Sequence, residues 1–382
     1  MDGKGKRRAA KRSAGAATAD PAGPRRRRLV RGFDKAGIDA MLVTTPANVR
    51  YLTGFTGEDS YLLVGRKLAI LLTDSRFQEQ ARLECPALEL YIRQGRMTDA
   101  VKAALHRRGV RRLGVESESI TLGLHDKLSQ LLGANKLRST ENLVGELRLT
   151  KDDSELVAIR KAIRVAQRAF LGLIARGRKA LVGRTEAQLA GELEFRMRQE
   201  GASGASFPSI VASGAHAALP HYRPGGTAVK AGQAVLFDWG ALVDGYCSDL
   251  TRVVFTGRIP PPIGQIYEVV LSAQKKGIAA VRAGRPANVV DAAAREVIAA
   301  AGYGQQFGHG LGHGIGLEIH EAPSLSPRAI GRLRRGQIVT VEPGIYLPGA
   351  GGVRIEDDVL VEVGRGVVLS SLPSDLQAMV LQ

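Results

Sequence analysis

Residues 238–252, DWGALVDGYCSDLTR, contain the pattern that decides the fold of the C-terminal part of the chain. The pair Asp244-Gly245 between apolar flanks is a favoured two-residue turn of a β-hairpin. With 244 and 245 in the turn, the numbers of cross-strand partners sum to 489, so Asp238 faces Thr251 and Asp249 faces Gly240. Because residues two apart share a face, Asp238 and Asp249 project to the same side as diagonal neighbours, ~7–8 Å apart.

Two carboxylates on one face of a sheet are costly unless a cation or a base lies beside them. The hairpin alone therefore fits a metal site, and it fits an exposed acidic hairpin equally well. Cys247 shares the face of Asp249 in this register. A small buried residue is favoured over a metal ligand at that position.

A second pattern follows in residues 307–323, FGHGLGHGIGLEIHEAP, which contain His309, His313 and His320. The alternating glycines allow close backbone approach and do not favour a regular helix. Imidazole is the commonest neutral metal ligand and a natural proton carrier near neutral pH. Three histidines in this setting predict a functional site more strongly than one would.

Two further stretches add carboxylates, although each taken alone is an ordinary strand. IVTVEPGIY (residues 338–346) places Glu342 at a strand end, and GGVRIEDDVLV (351–361) places Arg354 and Glu356 on one strand face. Arg354 would pair with a ligand carboxylate. Combined with the earlier patterns they predict two divalent ions, Mn²⁺ or alternatively Zn²⁺, Co²⁺ or Fe²⁺, which ~3.5–4 Å apart would share and activate a water. The predicted metal ligands are Asp238, Asp249, His313, Glu342 and Glu356.

The rest of the chain is predicted to form two domains. Residues 29–150 alternate short apolar strands with helical stretches, which indicates an α/β unit. A helix start at residues 151–154 opens the second region, 151–382, where long helices are grouped between pairs of strands and predict an α+β domain.

Composition narrows the class of protein. The chain of 382 residues has two cysteines and no apolar run of the ~18 residues that a membrane span needs, so we expect a cytoplasmic protein without a disulfide framework. Residues 1–28 hold ten Lys and Arg against Asp2 and Asp20, out of a net charge of +17. We expect a disordered basic tail rather than a nucleic-acid-binding arm, because no aromatic residues are interleaved for stacking.

In their order along the chain, these motifs resemble the pita-bread metallopeptidases, which include aminopeptidase P, prolidase and methionine aminopeptidase. The resemblance covers residues 29–382, and PANVRYLTGFTG (46–57) resembles part of a creatinase-type N-terminal domain. It implies a creatinase-like α/β domain, a mixed sheet with flanking helices, over residues 29–150. It also implies an α+β pita-bread catalytic domain over residues 151–382.

The resemblance also implies roles for individual residues. Asp249 and Glu356 would bridge two metals, and Glu342 would double as the general base. His221, in SGAHAALPHY, would be a substrate-side histidine, while His309 and His320 would bind substrate groups and stabilise the tetrahedral intermediate. For His216, five residues before His221, a surface loop is favoured over a place in the substrate pocket.

The N-terminal domain and His309 favour aminopeptidase P and prolidase over methionine aminopeptidase, and both favoured branches act at bonds preceding proline. We therefore expect a dinuclear Xaa-Pro aminopeptidase acting on peptides with proline at the second position, through a hydroxide between the metals. Prolidase action on Xaa-Pro dipeptides is the alternative. A non-catalytic binding protein of this fold is disfavoured because all five ligands are present. A homodimer is expected from the resemblance alone.

Overall fold

The computed structural model describes residues 20–106 and 108–382, which form two compact units, one ending at Leu147 and the other beginning at Arg148. The domain boundary predicted between residues 150 and 151 stays a prediction. Residues 1–19 of the predicted tail lie outside the described residues. None of the described helices combines the length and the apolar character that crossing a membrane requires.

The first unit contains one sheet and a set of short helices. Its helices are α1 Gly23–Arg31, α2 Phe33–Ala36, α3 Pro46–Thr53, α4 Gln78–Glu84, α5 Met97–Leu105, α6 Leu122–Leu132 and α7 Leu143–Arg148. Its strands are β1 Ala40–Val43, β2 Tyr61–Gly65, β3 Leu68–Asp74, β4 Glu89–Arg93, β5 Leu113–Glu116 and β6 Leu137–Thr140.

The strand order is β4-β3-β2-β1-β5-β6, and the sheet is mixed. β1, β2 and β3 pair antiparallel, while β3–β4, β1–β5 and β5–β6 pair parallel. Leu42, Leu72 and Val115 are buried at 0–1% exposure in the core beneath α5 and α6. The predicted mixed α/β arrangement is therefore confirmed in this unit.

The predicted disordered tail is wrong for residues 23–28, because Gly23–Arg31 form helix α1. Ala22 and Leu29 are buried, and the Arg26 guanidinium is also buried, where its Nη1 donates to the Leu52 carbonyl at 2.6 Å. The run of arginines is therefore part of a nine-residue amphipathic helix, in which Arg26 and Leu29 face inward.

The second unit contains long helices and several small sheets. Its helices are α8 Asp153–Ile174, α9 Glu186–Gln199, α10 Pro261–Ala280 and α11 Ala287–Ala300. Its first strands are β7 Gly204–Ala205, β8 Ile210–Ser213, β9 Ala234–Trp239, β10 Ala241–Val243, β11 Tyr246–Cys247 and β12 Leu250–Thr256. Its later strands are β13 Gly312–Gly314, β14 Glu321–Leu325, β15 Ile338–Val341, β16 Gly344–Leu347, β17 Gly351–Arg354, β18 Asp357–Val361, β19 Gly366–Val368 and β20 Val380–Leu381.

The hairpin has the predicted register. Thr251 faces Asp238 and Leu242 faces Cys247, so both pairs sum to 489. Asp244 and Gly245 have φ of 52° and 81°, the two positive values that a type I′ turn needs. The predicted pairing of Asp249 with Gly240 is not formed as a ladder pair, because the hairpin breaks there between two sheets.

The second strand of the hairpin and the strand predicted within residues 351–361 are each divided in the structure, and functional side chains lie at the two divisions. The first is divided into β11 and β12 and the second into β17 and β18, and the two members of each pair belong to different sheets. Asp249 and Glu356 lie at these crossings, outside the regular strands. Arg354 and Glu356 therefore do not share a strand face as predicted. Thr251 and Glu356 form an isolated bridge that joins the two crossings.

Helix α8 is fixed at its start and along its buried face. The predicted start is confirmed by a capping box, in which Asp152 accepts from the Glu155 N–H and Glu155 accepts from the Asp152 N–H. Phe170 stacks on Trp239 with ring centroids 4.4 Å apart, and the Trp239 indole donates to the Ala166 carbonyl at 3.0 Å. The end of β9, which carries Asp238, is thereby held against α8.

Candidate active site

All the residues singled out as catalytic or metal-binding line one cavity of about 550 Å³ in the second unit. The structure brings these predicted residues together: His221, Asp238, Asp249, His309, His313, His320, Glu342 and Glu356. Arg354 lines the same cavity. His216 does not line the cavity, but the expected surface loop is wrong, because His216 lies in the short 3-10 helix Gly214–Ala218 and is half-buried against Glu186. Cys247 is buried outside the cavity lining.

The floor of the cavity is acidic. Ligand atoms of Asp249, His313 and Glu356 all lie within 4.8 Å of one another. The Glu342 Oε1 lies 3.5 Å from His313 Nε2, and the Asp249 Oδ2 lies 3.7 Å from the same nitrogen. Burial, reinforced by repulsion between these carboxylates, raises the pKa of Asp249 and of Glu356 well above their ordinary range. A bound cation would therefore stabilise the ionised form of these carboxyl groups.

His313 is prepared to act as a ligand. It is flanked by Gly312 and Gly314. A Cβ atom at 312 would lie 2.0 Å from the Thr340 carbonyl oxygen, and one at 314 would lie 2.2 Å from the Ala322 carbonyl oxygen, so only glycine allows this close approach. The His313 Nδ1 lies 3.0 Å from the Gly314 carbonyl and must donate to it, which leaves the Nε2 lone pair facing the carboxylates. Burial lowers the pKa of His313 to about 4, so the ring is neutral.

Asp238 also has an atom available for a cation. Its Oδ2 accepts from Arg354, whereas its Oδ1 is buried and has no hydrogen-bond partner among the described residues. A buried carboxylate oxygen without a partner is costly, and a metal ion would satisfy it. The oxygen-rich donor set with one neutral imidazole nitrogen therefore fits one or more divalent ions.

Several residues that support the site were missed by the sequence analysis. Thr251 donates from Oγ1 to Glu356 Oε2 at 2.6 Å, and Arg354 Nη1 donates to the Tyr346 hydroxyl at 2.7 Å. Tyr346 lies 2.9 Å from His309 Nε2 and links that histidine to Arg354. Tyr346 lies four residues after Glu342 in the motif IVTVEPGIY, and Thr251 is the cross-strand partner of Asp238. Their closeness to predicted ligands was the only sequence signal that could have indicated their roles.

Helix α11 holds the histidine-rich loop from behind. Asp291 and Arg295 form an i,i+4 ion pair at 2.8 Å. Arg295 also donates to the His309 carbonyl at 2.7 Å, and Asp291 accepts from the Leu311 N–H at 3.0 Å. An i,i+4 ion pair on a helix is usually a surface feature, so no sequence pattern connected Asp291 and Arg295 with the site.

The charge of the floor is set by burial. Burial and the neighbouring Asp238 carboxylate, opposed by Arg354, raise the pKa of Glu342 to about 7. Burial and the neighbouring Arg354 lower the pKa of His309 to about 4. The Glu342 carboxyl group lies 3.5 Å from Nε2 of the neutral His313 ring, and its raised pKa suits it to accepting and returning a proton.

Comparison with known proteins identifies relatives over both units. Residues 157–362 match the family described as Metallopeptidase family M24, and residues 25–150 match the Creatinase/Prolidase N-terminal domain. The chain is 39% identical to an uncharacterized peptidase of Bacillus subtilis, YqhT, over 90% of this chain and 97% of that protein.

Solved structures of named enzymes are similar over the same range. An Xaa-Pro dipeptidase from Bacillus anthracis superposes with a TM-score of 0.90 at 39% identity, covering 94% of this chain and all of that one. An X-Pro aminopeptidase from Thermotoga maritima superposes with a TM-score of 0.86 at 36% identity and the same coverage.

Proposed function

The chain belongs to metallopeptidase family M24, with a creatinase/prolidase N-terminal domain and a pita-bread catalytic domain, and from this premise we propose that it hydrolyses the bond between an N-terminal residue and a following proline. The family implies divalent metal ions and proline-containing peptide substrates. The observation that carries the proposal is the convergence of four carboxylates and the neutral His313 on one cavity floor.

We assign the metal ligands as Asp238, Asp249, His313, Glu342 and Glu356, holding two ions, with Mn²⁺ first among the candidates. When bound, such ions supply a water acidic enough to ionise near neutral pH and stabilise the charge that develops on the substrate carbonyl. The orphaned Asp238 Oδ1 and the free Nε2 of His313 support this set.

The protein's own groups would then manage protons and substrate. Glu342, whose carboxylate lies on the cavity floor 3.5 Å from His313 Nε2, is the proposed proton acceptor. His221, His309 and His320 line the cavity, where they would orient the peptide beside the floor. The His309 ring is fixed at both nitrogens, because Nδ1 donates to the Gly310 carbonyl at 2.7 Å and Nε2 accepts from the Tyr346 hydroxyl at 2.9 Å. A hydrogen bond from His309 to the substrate would therefore replace the one to Tyr346.

Substrate length separates two candidates within this function. We favour release of the first residue from longer peptides, as in an aminopeptidase P, on the resemblance of the whole chain rather than on any one motif. The exposed cation Arg223 on the cavity wall favours the alternative, a prolidase acting on dipeptides that carry their carboxylate into the cavity. Assembly as a homodimer and a cytoplasmic location stay predictions.

An assay across metals and peptides tests the proposal. The purified protein is stripped with a chelator, reloaded with Mn²⁺, Co²⁺ or Zn²⁺, and given Gly-Pro and Arg-Pro-Pro, with Gly-Ala and Arg-Ala-Pro as controls. We expect cleavage only of the bonds before proline, lost on chelation and regained on reloading. No cleavage of either proline peptide with any metal would remove the proposed activity, and faster cleavage of Gly-Pro would favour the prolidase alternative.

A further inference from the structure

The segment that carries His221 is anchored by a cluster around the buried Glu186, and one member of the cluster, Tyr222, also lines the cavity. Glu186, in the first turn of α9, is fully buried and accepts from the Ser213 N–H and hydroxyl, both at 2.8 Å. It also accepts from His216 Nδ1 at 2.9 Å and from the Tyr222 hydroxyl at 2.8 Å. His216 and Tyr222 stack with ring centroids 4.5 Å apart. One carboxylate thus ties together both ends of residues 213–222.

The Glu186 carboxyl group at the centre of this cluster is ionised. Burial opposes ionisation of Glu186, but the hydrogen bonds from Ser213, His216 and Tyr222 outweigh it and lower the pKa of the carboxyl group. An ionised acceptor with four donors makes stronger, more directional bonds than a neutral one. The backbone on either side of His221 is therefore held in one conformation. This also fixes the position of the backbone at Arg223, which follows Tyr222.

Arg223 lines the cavity and is exposed. Among residues 20–106 and 108–382, no carboxylate pairs with it. The other arginine of the cavity, Arg354, is buried and already bonded to Asp238 and Tyr346. The charges of four ligand carboxylates and two divalent ions would sum to zero. Arg223 therefore remains available to pair with a negative group of the substrate.

We propose that Arg223, held on the cavity wall by the Glu186 anchor, binds the C-terminal carboxylate of a short peptide substrate. This inference rests on the proposed function for the identity of the peptide. Guanidinium and carboxylate match in a planar, bidentate geometry that an ammonium group does not reproduce. Such a contact is formed in the bound substrate and kept through the reaction, so it contributes chiefly to KM.

The experiment compares Gly-Pro with Gly-Pro amide, which lacks only the terminal charge. For R223A we expect KM for Gly-Pro to rise about 10- to 100-fold, the loss of one charged hydrogen-bonded contact, with kcat nearly unchanged. KM for the amide should change less than about threefold, and R223K should recover part of the loss. R328A removes an exposed arginine outside the cavity lining and serves as the matched control.

The anchor is tested by E186Q, which keeps the shape but not the charge of Glu186. It should raise KM for Gly-Pro more than for the amide, in the direction of R223A, while a thermal melt confirms that the variant is folded. An equal loss for both substrates in R223A, or no loss for either, would overturn the role of Arg223.

Calorimetric binding of the same two ligands separates this inference from the proposed activity. A wild-type protein that binds both peptides without cleaving them would remove the hydrolysis, yet the Kd ratio in R223A would still decide what Arg223 recognises. A wild-type protein that binds Gly-Pro no more tightly than its amide would overturn the inference even if both are cleaved.

Discussion

At the scale of single residues, the buried carboxyl groups on the floor of the cavity repel one another when ionised. Protons or bound cations reduce this repulsion and stabilise the folded protein. Asp249 and Glu356 have pKa values raised well above the ordinary range, and that of Glu342 is raised to about 7, in each case chiefly by burial. The folded metal-free protein therefore binds more protons than the unfolded chain does. By linkage its free energy of unfolding falls as pH rises from about 4 through these raised values.

Metal binding should remove this dependence and release protons, because the ligands must be ionised. We expect Mn²⁺ uptake near pH 6 to release at least one proton, measured by calorimetry in two buffers of different ionisation enthalpy. The Tm of the metal-free protein should fall between about pH 5 and pH 8, and the Tm of the loaded protein should exceed it by a margin that grows with pH. Uptake without proton release would contradict the raised pKa values.

At the scale of secondary-structure elements, the hairpin of β9 to β12 places two of the proposed ligands, and its register follows from the Asp244-Gly245 turn. The break beside it depends on a close contact at Gly240, where a Cβ atom would lie 1.8 Å from the Ser248 carbonyl oxygen. The chain changes sheets at this contact, just before Asp249.

Gly240→Ala should therefore force the two backbones apart, lowering the free energy of unfolding by about 1–3 kcal/mol and weakening Mn²⁺ binding. Thermal melts and metal titration measure both. Gly191→Ala is the control, because Gly191 lies in α9 with open space around its Cβ position, and alanine there should be neutral or slightly stabilising. Equal effects of the two substitutions would show that the close contact is unimportant.

Elements whose signal is local were predictable, and those that depend on distant contacts were not. The Asp244-Gly245 turn and the capping box of α8 follow from residues a few positions apart. The sheet changes beside Asp249 and Glu356 depend on the bridge from Thr251 to Glu356, which joins residues more than a hundred positions apart. Glu186 has the sequence appearance of an ordinary first-turn acid, and its partners lie 27 to 36 positions away.

At the scale of the whole molecule, each unit has its own hydrophobic core, and each matches its own family description. The match to the Creatinase/Prolidase N-terminal domain begins at residue 25, inside the stretch predicted as a tail. Helix α1 is therefore part of the first unit. Its Leu29 is 3% exposed, and Arg26 satisfies the Leu52 carbonyl.

Two truncations should separate α1 from the residues before it. Deleting residues 2–19 should leave the Tm and the rate of Arg-Pro-Pro cleavage unchanged, since it removes none of these contacts. Deleting residues 2–31 should lower the Tm, because the first unit loses the burial of Leu29, about 1.5–3 kcal/mol, and exposes the Leu52 carbonyl without its donor. Differential scanning calorimetry of the two truncated proteins, each compared with the full chain, measures both effects. If the protein with the longer deletion has the same Tm as the protein with the shorter one, the packing of α1 does not stabilise the first unit. Residues 23–28 would then behave as the solvated tail that the sequence predicted.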